Sequence, residues 1–183
     1  MKMEIIIAGL VTTLLTVSGC ISSSNVLVNR PTGGEQQQAE TGEYASFYLS
    51  TGGVTNVAAI ETTLVINEVS YNSDSTVFGL DSNQVTVNKT GVYKITGECY
   101  FNTGGSSRSE FTIWLENNGV DVDGTRSGIY ERGYDSGSTG VFTVITSLTD
   151  GDVLQIRIQR TDGGATTGYQ DNYGTRLTIE ELI

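Results

Sequence analysis

Residues Gly91 to Phe101, Gly-Val-Tyr-Lys-Ile-Thr-Gly-Glu-Cys-Tyr-Phe, alternate strictly between two kinds of side chain. One side carries Tyr93, Ile95, Gly97, Cys99 and Phe101, and the other carries Val92, Lys94, Thr96, Glu98 and Tyr100. An extended strand points successive side chains to opposite faces, whereas a helix would spread these apolar residues round its circumference. A slip of one residue would bury Lys94 and Glu98, so burial specifies the register. A half-buried antiparallel strand is therefore the element to expect here.

The same period recurs along the chain. Tyr44 to Ser50, Thr63 to Ile66, Gln84 to Val87 and Val141 to Leu148 read as strands. Phe111, Ile113 and Leu115 share a face opposite Thr112, Trp114 and Glu116. Leu154, Ile156 and Ile158 alternate with Gln155, Arg157 and Gln159, and Leu177 and Ile179 lie between Arg176, Thr178 and Glu180. Asn117-Asn118-Gly119 and Asp150-Gly151-Asp152 supply hairpin turns. With 23 Gly, a single Pro and many Thr, Ser and Asn residues, the composition suits eight to ten short strands joined by turns. The fold class expected is all-β, an antiparallel two-sheet sandwich over residues 43–183.

Charge and residue types remove several functions. A net charge of −11 leaves no basic footprint for nucleic acid. The chain has no His, which removes the commonest general base and every His-metal site. Two cysteines, Cys20 and Cys99, cannot make a structural zinc site alone, so no metal or cofactor is expected. Carboxylate-pair chemistry on polysaccharides stays open, without any particular pair to carry it. Cys99, on the apolar face of its strand, is expected to be a buried free thiol.

The first twenty residues differ from the rest. Ile5 to Cys20, IIIAGLVTTLLTVSGC, follows Lys2 and ends in small residues. It reads either as an extended apolar arm that anchors the module or as a secretory leader. Val17-Ser18-Gly19-Cys20 resembles the bacterial lipobox, which implies acylation at Cys20. Residues 21–42, with Ser, Asn, Gly and three consecutive Gln, read as a polar linker.

Two segments stand out as site-like. Gly168 to Gly174 holds Tyr169, Gln170, Asp171, Asn172 and Tyr173, whose rings suit sugar faces and whose amide and carboxylate groups suit hydroxyls. It is expected to be a ligand-binding loop. Gly128 to Asp135 is a second expected loop. Asp121, Asp123 and Gly124 are read as part of a hairpin turn in preference to a Ca²⁺ loop. Val92, Tyr100 and Trp114 are expected on one exposed face, where apolar residues mark an interface and Lys94 and Glu98 pair with neighbouring chains.

The order of motifs resembles the jelly roll shared by tumour necrosis factor and the globular head of the first complement component. The resemblance rests on Gly91-Val-Tyr-Lys-Ile, on Phe111-Thr-Ile-Trp-Leu-Glu-Asn-Asn-Gly119, on Ser138 to Val153 and on Leu177-Thr-Ile-Glu-Glu-Leu182. Tyr173-Gly-Thr-Arg-Leu177 departs in spacing from the Phe-x-Gly-x-Leu near the family's end. The resemblance implies a TNF-like, non-enzymatic homotrimer. The Thr-, Asn- and Gly-rich texture is similar to that of bacteriophage fibre and capsid-decoration proteins. That similarity implies a virion surface protein whose arm contacts capsid or tail proteins and whose jelly roll adheres to a host-surface glycan or protein. An outer-surface bacterial lipoprotein is the alternative, with a polysaccharide-active enzyme behind both.

Overall fold

The computed structural model describes residues 42–56, 60–103, 108–132, 137–165 and 167–183. They form thirteen strands: β1 (Tyr44–Tyr48), β2 (Gly53–Asn56), β3 (Thr62–Thr63), β4 (Glu68–Asn72), β5 (Phe78–Asp81), β6 (Gln84–Val87), β7 (Gly91–Asn102), β8 (Ser109–Asn117), β9 (Val120–Asp121), β10 (Ser127–Glu131), β11 (Ser138–Leu148), β12 (Asp152–Gly163) and β13 (Thr167–Leu182). No helix occurs among the described residues. The expected anchor, lipidation site Cys20 and linker lie almost entirely outside them.

The strands pair into two antiparallel sheets. The first runs β11-β7-β13-β1-β4, with β2 beside β13. The second runs β10-β8-β12-β6-β5, with β3 beside β12 and β9 beside β8. Apart from the β5–β6 and β8–β9 hairpins, most neighbouring strands come from distant parts of the chain, as where β13 lies between β7 and β1.

The core fills the space between the sheets. Tyr93, Ile95, Cys99 and Phe101 of β7 are fully buried, as are Ile113, Leu115, Leu154, Ile156 and Ile158 from the second sheet. The rings of Phe101 and Phe111 meet edge to face across the gap at 5.0 Å, and those of Phe78 and Tyr93 at 6.1 Å. The inward sets are the ones that alternation in the sequence picks out. The β8–β9 hairpin turns on Asn118 (φ 51°) and Gly119 (φ 79°), the positive-φ pair expected of Asn-Asn-Gly.

Two expected loops are strands instead. Ser127–Glu131 forms the edge strand β10, paired along its length with β8. Thr167 to Gln170 begins β13, whose pairing with β7 is interrupted between Gln170 and Thr175. The expected loop is thus a bulge within a long strand. The eight to ten strands expected become thirteen among the described residues because short edge pieces, such as β3 and β9, carry no alternation.

Candidate functional site

The outer face of the first sheet is the candidate site. Cross-strand partners in an antiparallel sheet share a face, so the register defines its rows. Ser147, Val92 and Leu182 form one row; Ile145, Lys94, Glu180 and Tyr44 form the next. Thr143, Thr96, Thr178 and Ser46 follow, and then Val141, Glu98, Arg176 and Tyr48.

Apolar side chains on this face stay in solvent. Val92 is 42% exposed, Val141 49%, Ile145 62% and Leu182 38%. Leu182 pairs directly with Val92 across the strands, and Ile145 is diagonal to Val92 on the other side, so the three group at one end of the face. Towards β4 the face turns aromatic. Tyr44 and Tyr71 lie 5.7 Å apart, and Tyr48 stacks on Tyr173 at 5.3 Å. Tyr100 is half-buried because its ring lies against Gly137.

The charges that β7 and β13 bring to this face are paired within the chain. Lys94 Nζ is 3.2 Å from Glu180 Oε2, and Arg176 Nε is 3.7 Å from Glu98 Oε1. Lys94 and Glu98, expected to pair with neighbouring chains, therefore already have partners across their own strands. Such exposed pairs contribute little to stability. Their consequence is that the middle of the face is electrically balanced on a chain of net charge −11.

Trp114 belongs elsewhere. It lies on β8 in the second sheet, so it cannot share a face with Val92 and Tyr100. It also points away from the core, as alternation requires, yet it is fully buried. The Arg126 guanidinium lies over the ring at 4.4 Å and is itself held by an ion pair with Asp121. Arg157 stands in the facing position on β12. A charged side chain twelve positions downstream thus covers the indole. The pairing of Asp121 with Arg126 also accounts for one of the carboxylates considered for Ca²⁺.

The segment 169–173 is divided by the bulge. Gln170 is 1% exposed, and its amide donates to Thr175 Oγ1 at 2.7 Å and accepts from Val65 N at 3.3 Å. It ties β13 to the segment after β3, and its burial takes it out of any ligand-binding loop. Asn172 accepts a hydrogen bond from Gly52 N, and Tyr173, at φ 62°, presents an exposed ring beside Tyr48. Tyr169 and Asp171 are placed here by backbone alone, Tyr169 pairing with Val54 of β2.

Cys99 is free and buried, and burial pushes its thiol up to about 12 while Thr175, donating to Sγ at 3.6 Å, works in the other direction. A thiol in that state is not a nucleophile at neutral pH.

No family model and no curated protein matches the sequence. Solved structures do. Murine APRIL, in a crystal structure at pH 8.0, superposes with a TM-score of 0.54 at 13% identity, over 77% of this chain and 99% of its own. Eiger TNF from S. frugiperda gives a TM-score of 0.53 at 16% identity, over 79% of this chain and 94% of its own. The fold is a TNF-like jelly roll. At these identities the likeness speaks for the jelly roll alone.

Proposed function

We propose that the chain is a non-enzymatic display module that assembles as a homotrimer through the outer face of the β11-β7-β13-β1-β4 sheet. The observation that carries this reading is the Val92–Leu182–Ile145 patch beside ion pairs that balance the charges of β7 and β13 on the same face. Apolar area removed from water contributes about 25 cal/mol per Å², and three-fold symmetry repeats each contact three times. A chain of net charge −11 repels its own copies, so the copies meet best where charge is balanced. Val92 and Tyr100 lie on this face; Trp114 takes no part in it.

The trimer serves as a virion surface protein, a fibre or capsid-decoration subunit, held to capsid or tail proteins by residues 1–20 and projecting the jelly roll for adhesion to a host surface. The Val17-Ser18-Gly19-Cys20 sequence supports a second reading, an outer-surface lipoprotein anchored through acylated Cys20. Sedimentation of the full chain at micromolar concentration tests the assembly: a species of three times the 19.6 kDa chain mass is expected, and a monomer would overturn it. Mass spectrometry of the native protein separates the two anchors, since the virion reading requires an unacylated Cys20.

A further inference from the structure

The second sheet carries a groove on its own outer face, on the opposite side of the sandwich from the proposed trimer contact. Its floor is Thr112 of β8 and Gly128 of β10, which are register partners. A Cβ added at Gly128 would meet nothing within 4 Å, so the missing side chain is what opens the floor. One wall is the ring of Tyr130, 45% exposed. The other is Thr161, the residue left unpaired where β12 shifts register between Arg160 and Asp162. Irregularities of this kind re-aim side chains at functional sites.

The groove encloses about 300 Å³ and continues past Tyr130 and Glu110 into a second hollow of about 190 Å³, lined also by Arg108 and Asp162. Asp162 accepts a hydrogen bond from Gly163 N at 2.7 Å. The side chains of Arg108, Glu110, Thr112 and Tyr130 make no hydrogen bond or ion pair among the described residues. A ring face flanked by carboxylate acceptors, hydroxyls and one guanidinium matches a pyranose, which offers a C–H face for stacking and hydroxyls for bonding. The carboxylates Glu110 and Asp162 outnumber Arg108, and the net charge is −11, so a phosphate, sulfated or sialylated ligand is disfavoured. Among the described residues no three acidic or thiol side chains converge to hold a metal.

We propose that this groove binds a neutral oligosaccharide, with one sugar ring stacked on Tyr130 and its hydroxyls bonded to Glu110 and Asp162. The proposal rests on the adhesive part of the function above and gives it a site and a ligand class; it does not depend on the trimer. Gly128→Val is the sharpest probe, because its Cβ meets nothing within 4 Å and a β-branched side chain over the floor suits an extended strand.

The full chain is applied to a panel of neutral hexose and N-acetylhexosamine oligosaccharides with sialylated and sulfated counterparts, and binders are followed by calorimetry. Binding to neutral members, weakened at least tenfold by both Gly128→Val and Tyr130→Ala with unchanged thermal unfolding, is the expected result. Binding that survives both substitutions, or that is confined to anionic members, overturns the groove while leaving adhesion through another surface standing. Silence across the whole panel overturns the groove and the glycan-adhesion role together. Sedimentation of the same samples reads the trimer separately, and Ile145→Glu, on the other sheet, is expected to leave the affinity for a monovalent sugar unchanged.

Discussion

Gly97 of β7 lies directly under the ring of Phe142 of β11: a Cβ on Gly97 would stand 2.1 Å from Phe142 Cζ. The two residues are cross-strand partners on the inner face. The ring of Phe142 occupies the space that a side chain at position 97 would need, so the glycine sits mid-strand for lack of room and not for any turn. Gly97→Ala is expected to cost about 1–3 kcal/mol through overpacking. Gly79→Ala, where a new Cβ would meet nothing, is expected to be neutral or slightly stabilising. Denaturant unfolding of both variants checks the contrast, and equal stabilities would refute it.

Asp152 joins two hairpin turns. Its carboxylate accepts from Thr149 N at 2.9 Å, Asn117 Nδ2 at 3.1 Å and Asn118 Nδ2 at 2.7 Å. Burial raises its pKa, but the three donors outweigh burial and hold the carboxyl below its ordinary value. A depressed folded-state pKa contributes stability above the unfolded value, and that stability is lost as pH falls through the folded one. Wild type should therefore lose part of its stability below the ordinary carboxyl value of 3.8. Asp152→Ala should cost roughly 1–2 kcal/mol at neutral pH and flatten that acid loss. An acid profile identical to wild type would show that the clasp is not energetically significant.

At the other end of the pH scale, two buried groups resist ionisation. Burial raises Cys99 from 9.0 to about 12, and burial, with Glu181 and Glu43 adding repulsion, raises Tyr93 from 10.0 to about 12. Both must stay protonated in the folded chain while the unfolded chain releases its protons. The unfolded state then binds fewer protons, so stability falls as pH rises from about 9 towards 12. Tyr93 also donates its hydroxyl to Lys89 O at 2.8 Å. Tyr93→Phe should be less stable at neutral pH and should lose less between pH 10 and 12. Urea titrations across that range measure the slope, and rapid labelling of native Cys99 by a thiol reagent at pH 8 would contradict its burial.

The parts of the fold that showed in the sequence are those where one face is core and the other is water. β7, β8 and β12 alternate because each buries every second side chain against the opposite sheet. β4 is exposed along nearly its whole length, and β10 has Gly128 where an alternating residue would stand, so neither leaves a clean period. Trp114 misled for a different reason: alternation puts it on the outward side of β8, but β8 lies in the other sheet from Val92 and Tyr100, and Arg126 covers the ring; neither the sheet a strand joins nor a cationic lid leaves a sign in the sequence. Gln170 looked like a ligand contact because polar residues beside Tyr suit loops; its hydrogen bonds, across the bulge to Thr175 and to distant Val65, depend on the folded strand and leave no trace in residue type. The Gly128 groove depends on a missing side chain and one register shift, neither of which marks a residue type.

The assignment of the trimer face separates from the stability of the subunit because its residues are solvent-exposed in one chain. Ile145, at 62% exposed, and Val92, at 42%, touch little of their own subunit, so Ile145→Glu and Val92→Glu are expected to leave the monomer folded. In a trimer each would bring a carboxylate into an apolar contact at three symmetry-related places, where an unpaired charge is strongly unfavourable. Trp114→Ala works in the opposite sense. It empties a fully buried site under Arg126 and should cost about 3–5 kcal/mol of subunit stability, while the surviving folded protein keeps the wild-type mass. Light scattering and thermal unfolding on the three variants therefore give opposite patterns. The face is assigned correctly if the two glutamate variants become monomers with near wild-type circular dichroism and Trp114→Ala stays trimeric but melts early. A trimer that survives Ile145→Glu and Val92→Glu together would move the contact to another surface of the jelly roll.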